Sequence, residues 1–174
     1  MTLSLALIGY RGTGKSTVGA ILARRLGLAF VDTDRLVESR GGESIASIFA
    51  RGGEELFRDA ESAALNSLLE PPVPRIVACG GGIVLRRENR AVLRKLAPGR
   101  IFLLTAPAEV IARRVAGDER SAATRPPLTD LSFDEEIREV LRKRDPLYRE
   151  LADHLIRTEE KKPAEIAEEI CRLL

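Results

Sequence analysis

A nearly unbroken apolar run at residues 3–8, Leu-Ser-Leu-Ala-Leu-Ile, passes straight into Gly9-Tyr10-Arg11-Gly12-Thr13-Gly14-Lys15-Ser16-Thr17. Val18, Ile21, Leu22 and Leu26 then recur at helical spacing. Such a run fits a central parallel strand covered on both faces. The glycines of Gly-x-x-x-x-Gly-Lys-Ser free the turn to bring its N–H groups onto phosphate oxygens. Lys15 adds a point charge, Ser16 an oxygen for Mg²⁺, and the following helix the positive end of its dipole. The segment predicts a phosphate-binding loop feeding a parallel sheet.

The rest of the chain repeats the alternation. Strands are expected at 29–32, 75–78, 100–104 and 154–156, with helical stretches at 44–51, 54–69, 88–96 and around Ile111 and Val115. Gly52-Gly53 punctuates the join of the helical stretches 44–51 and 54–69, Pro71-Pro72-Val73-Pro74 breaks the chain, and Pro163 opens a last helix. Ser132-Phe133-Asp134-Glu135 has the form of a capping box for a helix bearing Ile137, Val140 and Leu141. Residues 117–125 are polar, charged and aperiodic, a mobile-loop candidate. The expected fold is α/β, a three-layer α/β/α sandwich around a five-stranded parallel sheet, with ligands at the carboxyl ends of the strands.

Composition narrows the function. At 174 residues the chain is expected to be a single domain with a core that needs no staples. A net charge of +2 gives little reason to expect nucleic acid or an anionic membrane as partner, and 4% aromatics with no Trp weakens the case for a base-stacking binder. Cys79 and Cys171 look like reduced packing residues. The N-terminal apolar run lacks a basic leader and enters the phosphate loop directly, so a cytoplasmic protein is expected.

Several side chains could carry chemistry. Asp32 and Asp34 are two apart, so a persisting strand would project both to one side, as a metal and substrate pair; helix-start chemistry is the alternative. Gly80-Gly81-Gly82 at a strand end permits close backbone approach to a ligand, or is a plain turn. Arg144 falls on the apolar stripe set by Ile137 and Leu141, so it needs an anion, either a protein carboxylate or a bound one. Arg58 has Glu54 and Glu61 at ion-pair spacing, which leaves a surface pair as an alternative. Arg113, Arg114, Arg120 and Arg125 crowd the loop candidate, and one or two are expected to act on phosphates. His154, the sole histidine, is expected to be structural.

Taken in order, the loop from Gly9 to Thr17, Asp32-Thr33-Asp34, Gly53-Glu54-Glu55-Leu56-Phe57-Arg58, Gly80-Gly81-Gly82, Arg125-Pro126-Pro127-Leu128-Thr129 and Arg144-Asp145-Pro146-Leu147-Tyr148 resemble shikimate kinase over almost the whole chain. The resemblance implies a nucleoside-monophosphate-kinase-like fold with a substrate-binding region at about 33–61 and a lid at about 113–128. It implies ATP-dependent phosphorylation of the 3-hydroxyl of shikimate, with Mg²⁺, by a monomer. Carried onto this sequence, Gly12, Thr13, Gly14, Lys15, Ser16 and Thr17 would bind ATP with Arg120, Arg125 and Lys161. Asp34, Arg58, Gly80, Gly81, Gly82 and Arg144 would bind shikimate. Ser16 and Asp32 would serve the metal, and Lys15, Asp34 and Arg125 the catalytic step. The lid reads Arg-Pro-Pro-Leu-Thr where many members have Arg-Pro-Leu-Leu.

Overall fold

β1 (Leu5–Ile8) is buried along its whole length and lies at the centre of the molecule. It is flanked by β3 (Arg75–Ala78) and β4 (Ile101–Thr105), with β2 (Ala29–Asp32) and β5 (His154–Arg157) at the edges. All pairings are parallel, in the order β2-β3-β1-β4-β5. The computed structural model describes residues 4–117 and 133–174. Residue 3, residues 118–132 with Arg120, Arg125 and Ser132, and with them most of the lid region, lie outside the described residues.

The period of two in β1 divides the core. Leu5 and Leu7 pack with Val18 and Leu22 of α1 (Lys15–Leu26) and with Ile166 and Ile170 of α7 (Pro163–Arg172). Ala6 and Ile8 face the other way, onto Leu65 of α3 (Ile45–Asn66), Leu93 of α4 (Arg87–Leu96) and Tyr148 of α6 (Phe133–Leu151). Phe102 and Leu104 of β4 join the first layer, Ile101 and Leu103 the second, which makes the expected three-layer sandwich. Each fully buried Leu or Ile contributes about 1.5–3 kcal/mol. The strand that delivers the glycine-rich turn is therefore among the most firmly held parts of the chain.

α5 (Ala108–Ala116) completes the set, with Ile111 and Val115 packed against Tyr10. Ser44 caps α3 by accepting from the Ser47 N–H at 3.2 Å. The expected break at Gly52-Gly53 is present: Gly53 has φ 68°, so α3 is two helices meeting at a kink. α2 (Thr33–Gly41) was not anticipated from the sequence. β2 stops at Asp32, whose carboxylate accepts from the Asp34 and Arg35 N–H groups at 3.0 and 3.3 Å and starts the helix. The strand does not persist to Asp34.

Candidate active site

The carboxyl ends of β1, β2 and β3 open into one cleft of about 470 Å³, lined by Arg11 to Val18, Asp32, Asp34, Cys79, Gly80, Gly81, Arg114, Lys161, Pro163 and Ile166. Its floor is the turn between β1 and α1. Gly14 sits at φ 93° as the cap of α1, a conformation open to glycine and strained for other residues. No side chain caps α1 and no acid occupies its first turn, so its leading N–H groups remain available to an anion. Lys15 Nζ donates to the Tyr10 carbonyl at 2.7 Å, and Thr13 Oγ1 donates to the same oxygen at 2.8 Å.

Asp32 and Asp34 both reach the cleft, from different elements. While Asp32 Oδ1 caps α2, its Oδ2 accepts from Ser16 Oγ at 2.7 Å. The two readings of Asp32, helix start and metal side chain, are thus compatible in one carboxylate. Asp34 lies in the first turn of α2 and packs against Gly80.

The three glycines after β3 form a junction. Gly80 N–H donates to Thr33 Oγ1 at 2.8 Å, and a Cβ on Gly80 would stand 2.5 Å from Asp34 Oδ1 and 2.8 Å from Glu61 Oε1. Gly81 abuts the turn after β1, and a Cβ on Gly82 would overlap the Arg58 guanidinium. The Gly81 carbonyl accepts from Arg144 Nη1 at 3.2 Å and from the Tyr148 hydroxyl. Among the described residues, the N–H groups of Gly81 and Gly82 have no hydrogen-bond partner although both residues are buried. Unpaired buried donors of this kind are costly unless a ligand oxygen meets them.

Arg58 and Arg144 are both buried, at 5% and 8% exposure, but in opposite electrostatic states. Arg58 is no surface pair: Nη1 donates to Glu61 Oε2 at 2.8 Å and Nη2 to Glu54 Oε1 at 2.9 Å. Burial alone would lower its pKa, yet Glu61 and Glu54 outweigh that and raise it. Arg144 has no protein carboxylate partner among the described residues, only the Gly81 carbonyl and its neighbour Tyr148. The acidic partner expected for it is not supplied by the described chain.

Two functional candidates were missed or passed over in the sequence. Arg114 lines the cleft, donating to the Thr158 carbonyl at 2.7 Å, to Thr158 Oγ1 at 3.0 Å and to the Gly12 carbonyl at 3.4 Å. Its position at the end of α5 was the available signal; Arg120, which the resemblance assigns to ATP, lies outside the described residues. Glu61, fully buried, was seen only as a helical neighbour of Arg58. Lys161 is at the cleft as expected, paired with Glu169 at 2.6 Å. Burial pushes the Cys79 thiol well above the ordinary range, so it is no nucleophile. His154 stacks on Phe102 with centroids 4.7 Å apart, a packing role. No helix among the described residues is long and apolar enough to cross a membrane.

Comparison with known proteins agrees with the geometry. Residues 11–174 match the family model described as shikimate kinase. The chain is 45% identical over 177 residues to a shikimate kinase of Syntrophus aciditrophicus, covering 97% of this chain and 89% of the relative. It superposes with a TM-score of 0.89 on the shikimate kinase of Acinetobacter baumannii in complex with shikimate, at 34% identity, covering 99% and 93% of the two chains. A gluconokinase from Sinorhizobium meliloti, at 20% identity and TM-score 0.61, shares the fold alone.

Proposed function

Because the chain belongs to the shikimate kinase family, we propose that it transfers the γ-phosphoryl group of ATP to the 3-hydroxyl of shikimate, giving shikimate 3-phosphate and ADP. The observation that carries the acceptor assignment is Arg144, a buried guanidinium without a protein carboxylate among the described residues, beside two unpaired glycine N–H groups. A small carboxylated polyol supplies what both lack, a carboxylate for the cation and oxygens for the donors. Gluconate is a carboxylated polyol too, so this observation sets the acceptor class, and membership of the family selects shikimate within it.

Phosphoryl transfer has a charge-spread transition state, so the protein's work is alignment and charge neutralisation. The N–H groups from Gly12 to Thr17 cradle the phosphates, and Lys15 leaves the Tyr10 carbonyl to meet their oxygens. Arg114 flanks the nucleotide with Lys161, while Arg120 and Arg125 are assigned to ATP by family resemblance. Asp34, against Gly80, accepts a hydrogen bond from the acceptor hydroxyl and is placed to take its proton. Arg58, held by Glu61 and Glu54, packs against Gly82 and is assigned to the acceptor by family resemblance.

The Ser16 hydroxyl and the Asp32 carboxylate, 2.7 Å apart at the cleft floor, are hard oxygen donors that fit Mg²⁺ held with phosphate oxygens and water. The ion would neutralise phosphate charge there. Asp32→Asn separates this role from capping, because Asn caps helices as well as Asp. The Asn variant is expected to keep its melting temperature and need about 10–100-fold more Mg²⁺ for half-maximal rate. Asp32→Ala should in addition lose about 1 kcal/mol of stability.

A coupled assay of ADP release with ATP and Mg²⁺ tests the assignment, with shikimate, gluconate and nucleoside monophosphates as acceptors. Turnover with shikimate alone is expected. Preferential turnover of gluconate or of a nucleotide would overturn the proposal, and ATP binding without acceptor-dependent turnover would make the chain a nucleotide-binding module.

A further inference from the structure

The last residue of the motif Arg144-Asp145-Pro146-Leu147-Tyr148 has so far no part in the chemistry. Tyr148 is 2% exposed, and its hydroxyl donates to the same Gly81 carbonyl that accepts from Arg144 Nη1. The two donors are four residues apart on α6, one turn on one face. We infer that Tyr148 is a positioning residue of the acid-binding half of the cleft: it holds the Gly81–Gly82 peptide plane in place when Arg144 turns from the Gly81 carbonyl to the substrate carboxylate. This rests on the reading of Arg144 as the carboxylate-binding residue.

Three features support it. A trans peptide is planar, so the direction of the Gly81 carbonyl fixes that of the Gly82 N–H on its opposite side. A run of three glycines has no side chains to restrain its peptide planes, and its orientation must be imposed from outside. Thr33 imposes it at the Gly80 N–H, and α6 imposes it at the Gly81 carbonyl. If Arg144 were the sole donor there, engaging a ligand would release the peptide at the moment its N–H is needed. Burial raises the Tyr148 pKa to about 12, so the phenol remains a donor throughout the neutral range. A hydrogen bond accepted by the Gly81 carbonyl also polarises the peptide and strengthens the Gly82 N–H as a donor.

The test is Tyr148→Phe, with KM and kcat measured separately for shikimate and for ATP. The expected result is a rise of about three- to tenfold in the KM for shikimate, with the KM for ATP and the melting temperature little changed. A lowered melting temperature with an unchanged KM for shikimate would overturn the inference and leave Tyr148 a packing residue. Equal rises in both KM values would overturn it too. If the Phe variant fails to fold, 3-fluorotyrosine incorporated into a Tyr10→Phe chain, where Tyr148 is the remaining tyrosine, alters the donor at almost constant volume. Relative to the same chain with ordinary tyrosine, the KM for shikimate must then shift while that for ATP holds; no shift refutes the role. Wild-type protein that does not turn over shikimate would refute the site assignment itself, a different failure.

Discussion

Lys15→Ala is expected to lower kcat by about 10²–10³-fold while leaving the fold in place. Lys15 is buried to 8% exposure and hydrogen-bonded to the Tyr10 carbonyl, so a purely structural reading would predict instability instead. The magnitudes decide against that. The Tyr10 carbonyl keeps its donor from Thr13 Oγ1, so that acceptor is not orphaned, and the lost bond to it is worth about 1 kcal/mol. In the role proposed for it, in contrast, the cation meets the oxygens on which charge builds during transfer, where one preorganised donor is worth several kcal/mol of barrier. ADP-release kinetics beside a thermal melt read both quantities. Turnover within tenfold of wild type in a folded variant would contradict the assigned role.

Glu61→Ala is expected to have the largest effect on stability, about 3–5 kcal/mol, because it takes the buried carboxylate from the Arg58 guanidinium and leaves it only the half-exposed Glu54. In a domain of this size that corresponds to a fall in melting temperature of roughly 10 °C. Glu54→Ala is the control. It removes a partner of the same arginine, but the Glu54 side chain is 48% exposed, and water replaces it at a cost of about 1 kcal/mol or less. The contrast isolates burial as the variable. Chemical denaturation of the two variants measures it, and equal losses would show that the Arg58 site is wetter than its 5% exposure indicates.

The strands and the glycine-rich turn were legible because their signal is local: apolar runs for buried parallel strands, and fixed spacing for the turn. α2 was not, since Asp32-Thr33-Asp34 fits a strand end until one sees Asp32 accepting from the N–H groups two and three residues on. Arg58 was half legible. Helical spacing names Glu54 and Glu61 as its neighbours but cannot say which face of α3 the glycine triplet covers. The stripe on α6 predicted correctly that Arg144 would be buried, whereas its contact with Gly81, 63 residues away, needed the tertiary fold. The same holds for Arg11 and Glu136, which meet at 3.4 Å across 125 residues. Arg114 could not be singled out by spacing, because what holds it at the cleft is the Thr158 carbonyl just beyond β5.

The crowding around Gly80, Gly81 and Gly82 has a consequence for how genes of this kind can vary. A single added methyl group meets Asp34 and Glu61 at the first position and Arg58 at the last. The codons for Gly80 and Gly82 are thereby closed to almost every missense change, whereas at Gly81 a Cβ would meet nothing nearer than 3.4 Å, and further on Glu88 and Arg94 face solvent and are open to drift.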